Sequence, residues 1–141
     1  MDTDVFVLQS DQVDLLNQVA DDVFDNVVQP ELVAEFIADS RHHLAVAVSG
    51  NAVVGFASAV HYVHPDKPNE LWVNEIGVTP VMQGQGIGKR LMKTLLALGA
   101  ELGCDEAWVL ADEDNARARS FYESLDGEAS AAVMYSFRCH E

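Results

Sequence analysis

Hydrophobic positions along this chain recur with two periods, and the period changes at glycines, prolines and acidic clusters. Residues 5–8 form a first apolar strand. Ser10 is placed to cap a helix running through Val19 or beyond, with Val13, Leu16, Val19 and Val23 on one face. Pro30 suits the first turn of a second helix that turns Leu32, Val33, Phe36 and Ile37 inward. Residues 43–48 and 52–60 are strand-like runs joined by Ser49-Gly50-Asn51, a hairpin signal. His64-Pro65-Asp66-Lys67-Pro68-Asn69 has the composition of a loop, and residues 71–78 that of a central strand ended by Thr79-Pro80. Ile87, Leu91, Leu95, Leu98 and Leu102 then repeat at helical spacing as far as Gly103. Residues 106–110 predict a short buried strand. Ala118, Phe121, Tyr122 and Leu125 mark the inward stripe of another helix, and residues 131–138 a closing strand. The alternation of strands and helices is that of an α/β fold, and the 141 residues suit one domain with a substantial core. No internal repeat, low-complexity tract or linker divides it.

Between the central strand and the long helix lies Gln83-Gly84-Gln85-Gly86-Ile87-Gly88-Lys89. Alternate glycines let the backbone turn sharply and remove side chains that would hold a ligand away from the amides. A helix that starts at such a loop directs unpaired N–H groups and the positive end of its dipole outward, which suits a phosphate or pyrophosphate. Two common phosphate loops are excluded by spacing. A Walker loop needs Ser or Thr after Gly-Lys, and here Arg90 follows Lys89; the dinucleotide fingerprint fails because Lys89 and Leu91 stand where its third glycine is required.

What remains, Gln-x-x-Gly-x-Gly opening a helix after a strand, resembles the acyl-CoA-binding loop of the GNAT superfamily of N-acetyltransferases. The segment Asn115-Ala116-Arg117-Ala118-Arg119-Ser120-Phe121-Tyr122-Glu123-Ser124-Leu125 is similar to a second motif of that superfamily, in the expected order. The resemblance extends over residues 71–127. It implies a single-domain, mixed, mostly antiparallel central sheet flanked by about four helices, with a splayed parallel strand pair at an acyl-CoA cleft. It also implies acetyl-CoA as acyl donor, its pantetheine beside Ile76, Gly77 and Val78 and its pyrophosphate on the amides of Gln83, Gly84, Gln85, Gly86, Ile87, Gly88 and Lys89. Asn115 would hydrogen-bond the cofactor near the gap. Tyr122 would lie against the cofactor at the general-acid position.

Acetyl transfer to an amine requires removal of a proton from the ammonium and benefits from a proton for the departing thiolate. Glu75 interrupts an otherwise apolar strand, where a carboxylate is costly unless paired or used. It is the candidate base, or else the anchor for the substrate ammonium; burial would raise its pKa. The alternative is a carboxylate satisfied by backbone or by His61. Tyr122 offers a polar tip while Phe121 fills the core. Asp112 is a candidate substrate contact, and Asp114 a candidate cap for the next helix. His61, His64 and Asp66 straddle a strand end and a Pro-bounded loop, so they are not assigned as a metal site.

The formal charge is −15, and residues 1–40 carry ten Asp and Glu with no Lys or Arg. Such acidity argues against a nucleic-acid partner, and it suits equally the attraction of a cationic amine acceptor and a surface that serves solubility or salt adaptation. Lys89, Arg90, Lys93, Arg117 and Arg119, five of the eight Lys and Arg, fall in or near the two motifs assigned to a polyanionic donor. No apolar run reaches membrane-spanning length, and two scattered cysteines, Cys104 and Cys139, point to neither a disulfide framework nor zinc. A reducing cytoplasm is the default compartment. Within the superfamily the resemblance is to short aminoglycoside 3-N-acetyltransferases, through Glu70-Leu71-Trp72-Val73-Asn74-Glu75 and Val133-Met134-Tyr135-Ser136-Phe137. Gln83 in place of the commoner Arg, and Asp126-Gly127 in place of Gly-Phe, depart from the pattern. Polyamines and protein amines stay open as acceptors, as do a CoA-binding regulatory domain without transferase activity and a homodimer joined at the edge of the final strand.

Overall fold

The computed structural model describes residues 2–140. They form two compact units, divided between Leu110 and Ala111. The first holds a five-stranded sheet in the order β1 (Thr3–Val7), β2 (His42–Ser49), β3 (Ala52–His64), β4 (Lys67–Val78) and β5 (Glu106–Val109). The first three junctions are antiparallel and the last is parallel. Helices α1 (Pro30–Ala38) and α2 (Ile87–Glu101) belong to this unit, and α3 (Ala116–Glu123) to the second. Among the described residues, no helix is long and apolar enough to cross a membrane.

The strands run apolar on both faces because both faces are covered. One face carries small residues, Ala45, Ala47, Gly55, Ala57 and Ala59, all buried. They let α2 lie close, and a Cβ on Gly55 would come within 3.2 Å of Leu91. Leu91 and Leu95 are fully buried there, as the helical spacing predicts. Truncating a buried leucine of this kind to alanine costs about 2–5 kcal/mol. The opposite face buries Leu8, Leu16, Val23, Leu44, Val46, Val53 and Phe56 in one cluster, with Val33 and Phe36 of α1 packed against it.

Several expectations are corrected. The helix expected from Ser10 is a 3-10 segment, Ser10–Asn17, and it starts from Gln9, whose N–H donates to Gln12 Oε1 at 2.8 Å. It stops before Val19 because the chain there pairs with β3: Ala20 N–H donates to Val53 O and Val53 N–H to Gln18 O, both at 2.8 Å. Leu32 does not turn inward and is 57% exposed. The loop expected over residues 64–69 shrinks to a tight turn at Pro65-Asp66, because β3 and β4 continue to His64 and Lys67. The closing strand is absent: residues 128–138 have neither helix nor strand, and Val133, Met134, Tyr135 and Phe137 are exposed. An apolar run becomes a strand only where another strand supplies its hydrogen bonds, and the sheet contains β1 to β5 alone. The strand edge on which a homodimer was expected is therefore missing.

His43 and His61 lie on adjacent strands of the α2 face, both buried, with Nε2 of the first 2.7 Å from Nδ1 of the second. His61 is thus committed to an imidazole, and His64 to Asp66 at 2.6 Å. Burial, and then the neighbouring His61, push the His43 pKa down to about 4. A depressed pKa means that the unfolded chain takes up the proton first. Stability is therefore expected to be fully present above pH 6.5 and to fall as the pH drops towards about 4. Urea titrations across that window check this, and His43→Gln should flatten the dependence.

Candidate functional site

Four elements bring the site together in the first unit. Buried Thr79 at the end of β4 fixes the start of the loop: its N–H donates to Val54 O and its hydroxyl to Asp21 O, both at 2.8 Å. A short 3-10 turn, Pro80–Met82, follows. Gln83 closes that turn through its N–H to Pro80 O at 3.3 Å, and its side-chain amide reaches back to Val78 O at 3.0 Å. Gln83 is thus the brace that holds the loop on the strand.

Gly84 and Gly86 both have φ of 82°, the left-handed region that other residues enter at a cost. Among the described residues, the N–H groups of Gly84, Gln85 and Gly86 donate to no backbone carbonyl. Gly86 is the N-cap of α2, and no side chain caps that end. The first-turn amides of Ile87, Gly88 and Lys89 lack intrahelical acceptors by helix geometry. Six main-chain donors thus gather at the positive end of a 15-residue helix. The space where a Cβ of Gly84 or Gly86 would stand is open to at least 4 Å, so the loop is accessible to a ligand. Lys89 is exposed beside it. Arg90, counted among the cations near the motif, instead donates from Nη2 to Thr3 O at 2.8 Å and ties α2 to β1.

The parallel ladder of β4 with β5 runs from Glu70↔Glu106 to Val73↔Val109 and ends there. β4 continues to Val78, paired on its other side with β3. The edge of residues 74–78, which includes Ile76, Gly77 and Val78, therefore faces no strand: this is the splayed parallel pair. Gly77 is required by crowding: a Cβ there would fall 2.4 Å from Val23 O and 2.9 Å from Phe56.

Glu75 is exposed rather than buried. The register of β3 with β4 shifts beside it, between Ser58 and Ala59, and β5 has already ended at this level. It pairs across the sheet with Ser58, and both line a cavity of about 440 Å³ roofed by α1 and the segment before it. Phe24, Phe36 and Phe56 contribute to its walls, with Phe24 stacked on Phe56 at 4.1 Å. Sequence reasoning missed Ser58, Asp25 and these walls, because residues far apart in the chain bring them together. It also missed the stack of Trp72 on Trp108 at 5.2 Å across β4 and β5.

In the second unit, Asn115 rather than Asp114 caps α3, its Oδ1 accepting from Ala118 N–H at 3.0 Å. An amide oxygen one residue closer to the helix has the better reach. The Asn115 NH₂ is the donor that remains to offer. Asp112 is exposed, its carbonyl accepting from Asn115 N–H at 2.9 Å. Arg119 donates to Glu113 O at 3.0 Å. Tyr122 is half-buried against Phe121, and burial pushes its phenol above the ordinary value of 10. It therefore holds its proton through neutral pH.

Comparison with known proteins bears on this arrangement. The family model described as Acetyltransferase (GNAT) family matches residues 13–127. N-alpha-acetyltransferase RimI of Mycobacterium tuberculosis is 36% identical over 74 residues, 52% of this chain and 46% of that protein. The chain spans between 28% and 63% of the length of four curated relatives that it matches. An aminoglycoside acetyltransferase, meta-AAC0020, from an uncultured soil metagenomic sample shares the fold with a TM-score of 0.83 at 19% identity, covering 99% of this chain and 97% of the other. AAC(6')-Iy, solved with a bisubstrate analog of CoA and acetylneamine, has a TM-score of 0.79 at 18% identity, covering 99% and 100%.

The loop's demand is conformational, which gives a direct test. Gly86→Ala should destabilise the protein by about 1–2 kcal/mol, the cost of a left-handed L-residue. Gly86→Asn should lose less, because asparagine tolerates that region. Urea midpoints of the two variants check the order.

Proposed function

Because this chain belongs to the acetyltransferase (GNAT) family, matched from residue 13 to residue 127, we propose that it is an acetyl-CoA-dependent N-acetyltransferase acting on a primary amine of a cationic small molecule. The observation that carries this reading is the set of uncommitted amides at Gly84, Gln85 and Gly86, at the head of α2 and next to a strand edge that β5 leaves open. A diphosphate is the anion such a helix start suits. The pantetheine arm then lies along Ile76, Gly77 and Val78, where a main-chain N–H polarises the thioester carbonyl. Asn115 donates its NH₂ to the donor molecule.

Glu75, at an open cavity, accepts a proton from the ammonium directly or through water, or anchors that ammonium. The freed nitrogen attacks the carbonyl carbon, a C–N bond forms and the C–S bond breaks. Tyr122 gives its proton to the departing thiolate, and the acylated nitrogen sheds its second proton, which restores the phenol; a phenol that burial keeps protonated is suited to that role. Asp112 adds a further carboxylate for a cationic acceptor. The net charge of −15 supports such an acceptor, by raising its local concentration. The fold shared with aminoglycoside acetyltransferases supports including aminoglycosides among the candidates, beside polyamines and protein amines.

Glu75→Gln is expected to lower turnover about a hundredfold, the usual scale for an acid–base group, while leaving acetyl-CoA affinity unchanged by calorimetry. Free-thiol release across an amine panel measures the first quantity. Unchanged turnover would remove Glu75 from the mechanism. Binding of acetyl-CoA without thiol release to any amine would favour a regulatory CoA-binding domain instead.

A further inference from the structure

The cavity beside Glu75 has a composition that the acidity of the chain does not foretell. Eleven of the sixteen residues that line it are apolar, and the charged ones are Asp25 and Glu75. No Lys, Arg or His lines it among the described residues. Its volume of about 440 Å³ lies within the range of small-ligand clefts, about 300–1,000 Å³. At its walls Val27 and Leu32 remain 87% and 57% exposed, although α1 and the preceding segment have an apolar core beneath them.

Resting on the transferase reading above, we propose that the acceptor is a primary amine on an apolar body, an aralkyl- or alkylamine, and not a polyhydroxylated polycation. Each carboxylate suits one ammonium, and Ser58 adds one hydroxyl next to Glu75. Asn26 and Gln29 add two amides, and the other eleven lining residues present aromatic and aliphatic carbon, with the stacked Phe24 and Phe56 rings as the flattest surface. An apolar chain or ring fills such walls by leaving water. An aminoglycoside carries a hydroxyl or an ammonium on nearly every ring carbon. Against these walls most of those groups would lose their water without gaining a partner. The acidic exterior concentrates amines of either kind, so selection falls to the cavity.

The test compares 2-phenylethylamine and hexylamine with kanamycin and spermidine, reading free thiol and product mass with the full chain and acetyl-CoA. The apolar amines are expected to have kcat/KM at least about tenfold higher, the discrimination that apolar contacts supply. Leu32→Ser and Val27→Ser change exposed positions. Each should raise KM for 2-phenylethylamine by several-fold to about tenfold, with KM for acetyl-CoA and the circular dichroism spectrum unchanged. A preference for kanamycin or spermidine would overturn this inference and leave the transferase reading standing. So would serine variants that leave KM for 2-phenylethylamine unchanged. Release of thiol to none of the four amines, with acetyl-CoA bound, would overturn this inference, and the same result with a peptide N-terminus and a lysine side chain added would overturn the transferase reading as well.

Discussion

The short parallel ladder between β4 and β5 is the constraint on which the site depends. It lasts four residue pairs, and β4 then runs five residues further with one side unpaired. Two local causes end it. After Val109 and Leu110 the chain enters Ala111-Asp112-Glu113-Asp114, whose charges resist burial in a sheet. On β4, the register shift next to Glu75 adds a residue, Asn74, and such bulges bend a strand and increase its twist. The opening is therefore built into both strands.

The two faces of the sheet are specialised by side-chain size. Alanine and glycine on one face admit α2 closely, which aims its N-terminus and the glycine loop at the level where β4 is open. Arg90, donating to Thr3 O, pins the same helix end to the far edge strand. Large side chains on the other face hold α1 and the preceding segment off the sheet, and the space between them is the cavity that reaches Glu75. Gly77 links the two, since only a residue without Cβ lets Val23 O pass over the strand.

What the sequence made legible is what local chemistry controls. Alternate glycines require left-handed backbone, and a 3.6-residue repeat of leucines requires a helix packed on one side; both features stand where they were expected. Elements whose form depends on distant partners were misread. The segment after Ser10 has helical spacing, yet its end is dictated by the bridge of Val19 to Val53. Residues 131–138 have strand composition without a strand to join. Glu75 was singled out by its residue type, but its place beside an open cavity depends on α1 and the segment before it. The apolar walls of its cavity come from residues 8 to 56, which no local pattern unites.

The central claim is that the loop amides grip the diphosphate of acetyl-CoA. Amide chemical shifts of ¹⁵N-labelled protein, followed while acetyl-CoA or S-acetylpantetheine is added, test it most directly. Large downfield shifts of Gly84, Gln85 and Gly86 with acetyl-CoA, and little change with the diphosphate-free thioester, are the predicted result. Equal shifts with both compounds, or none at these three residues under saturating acetyl-CoA, would contradict it.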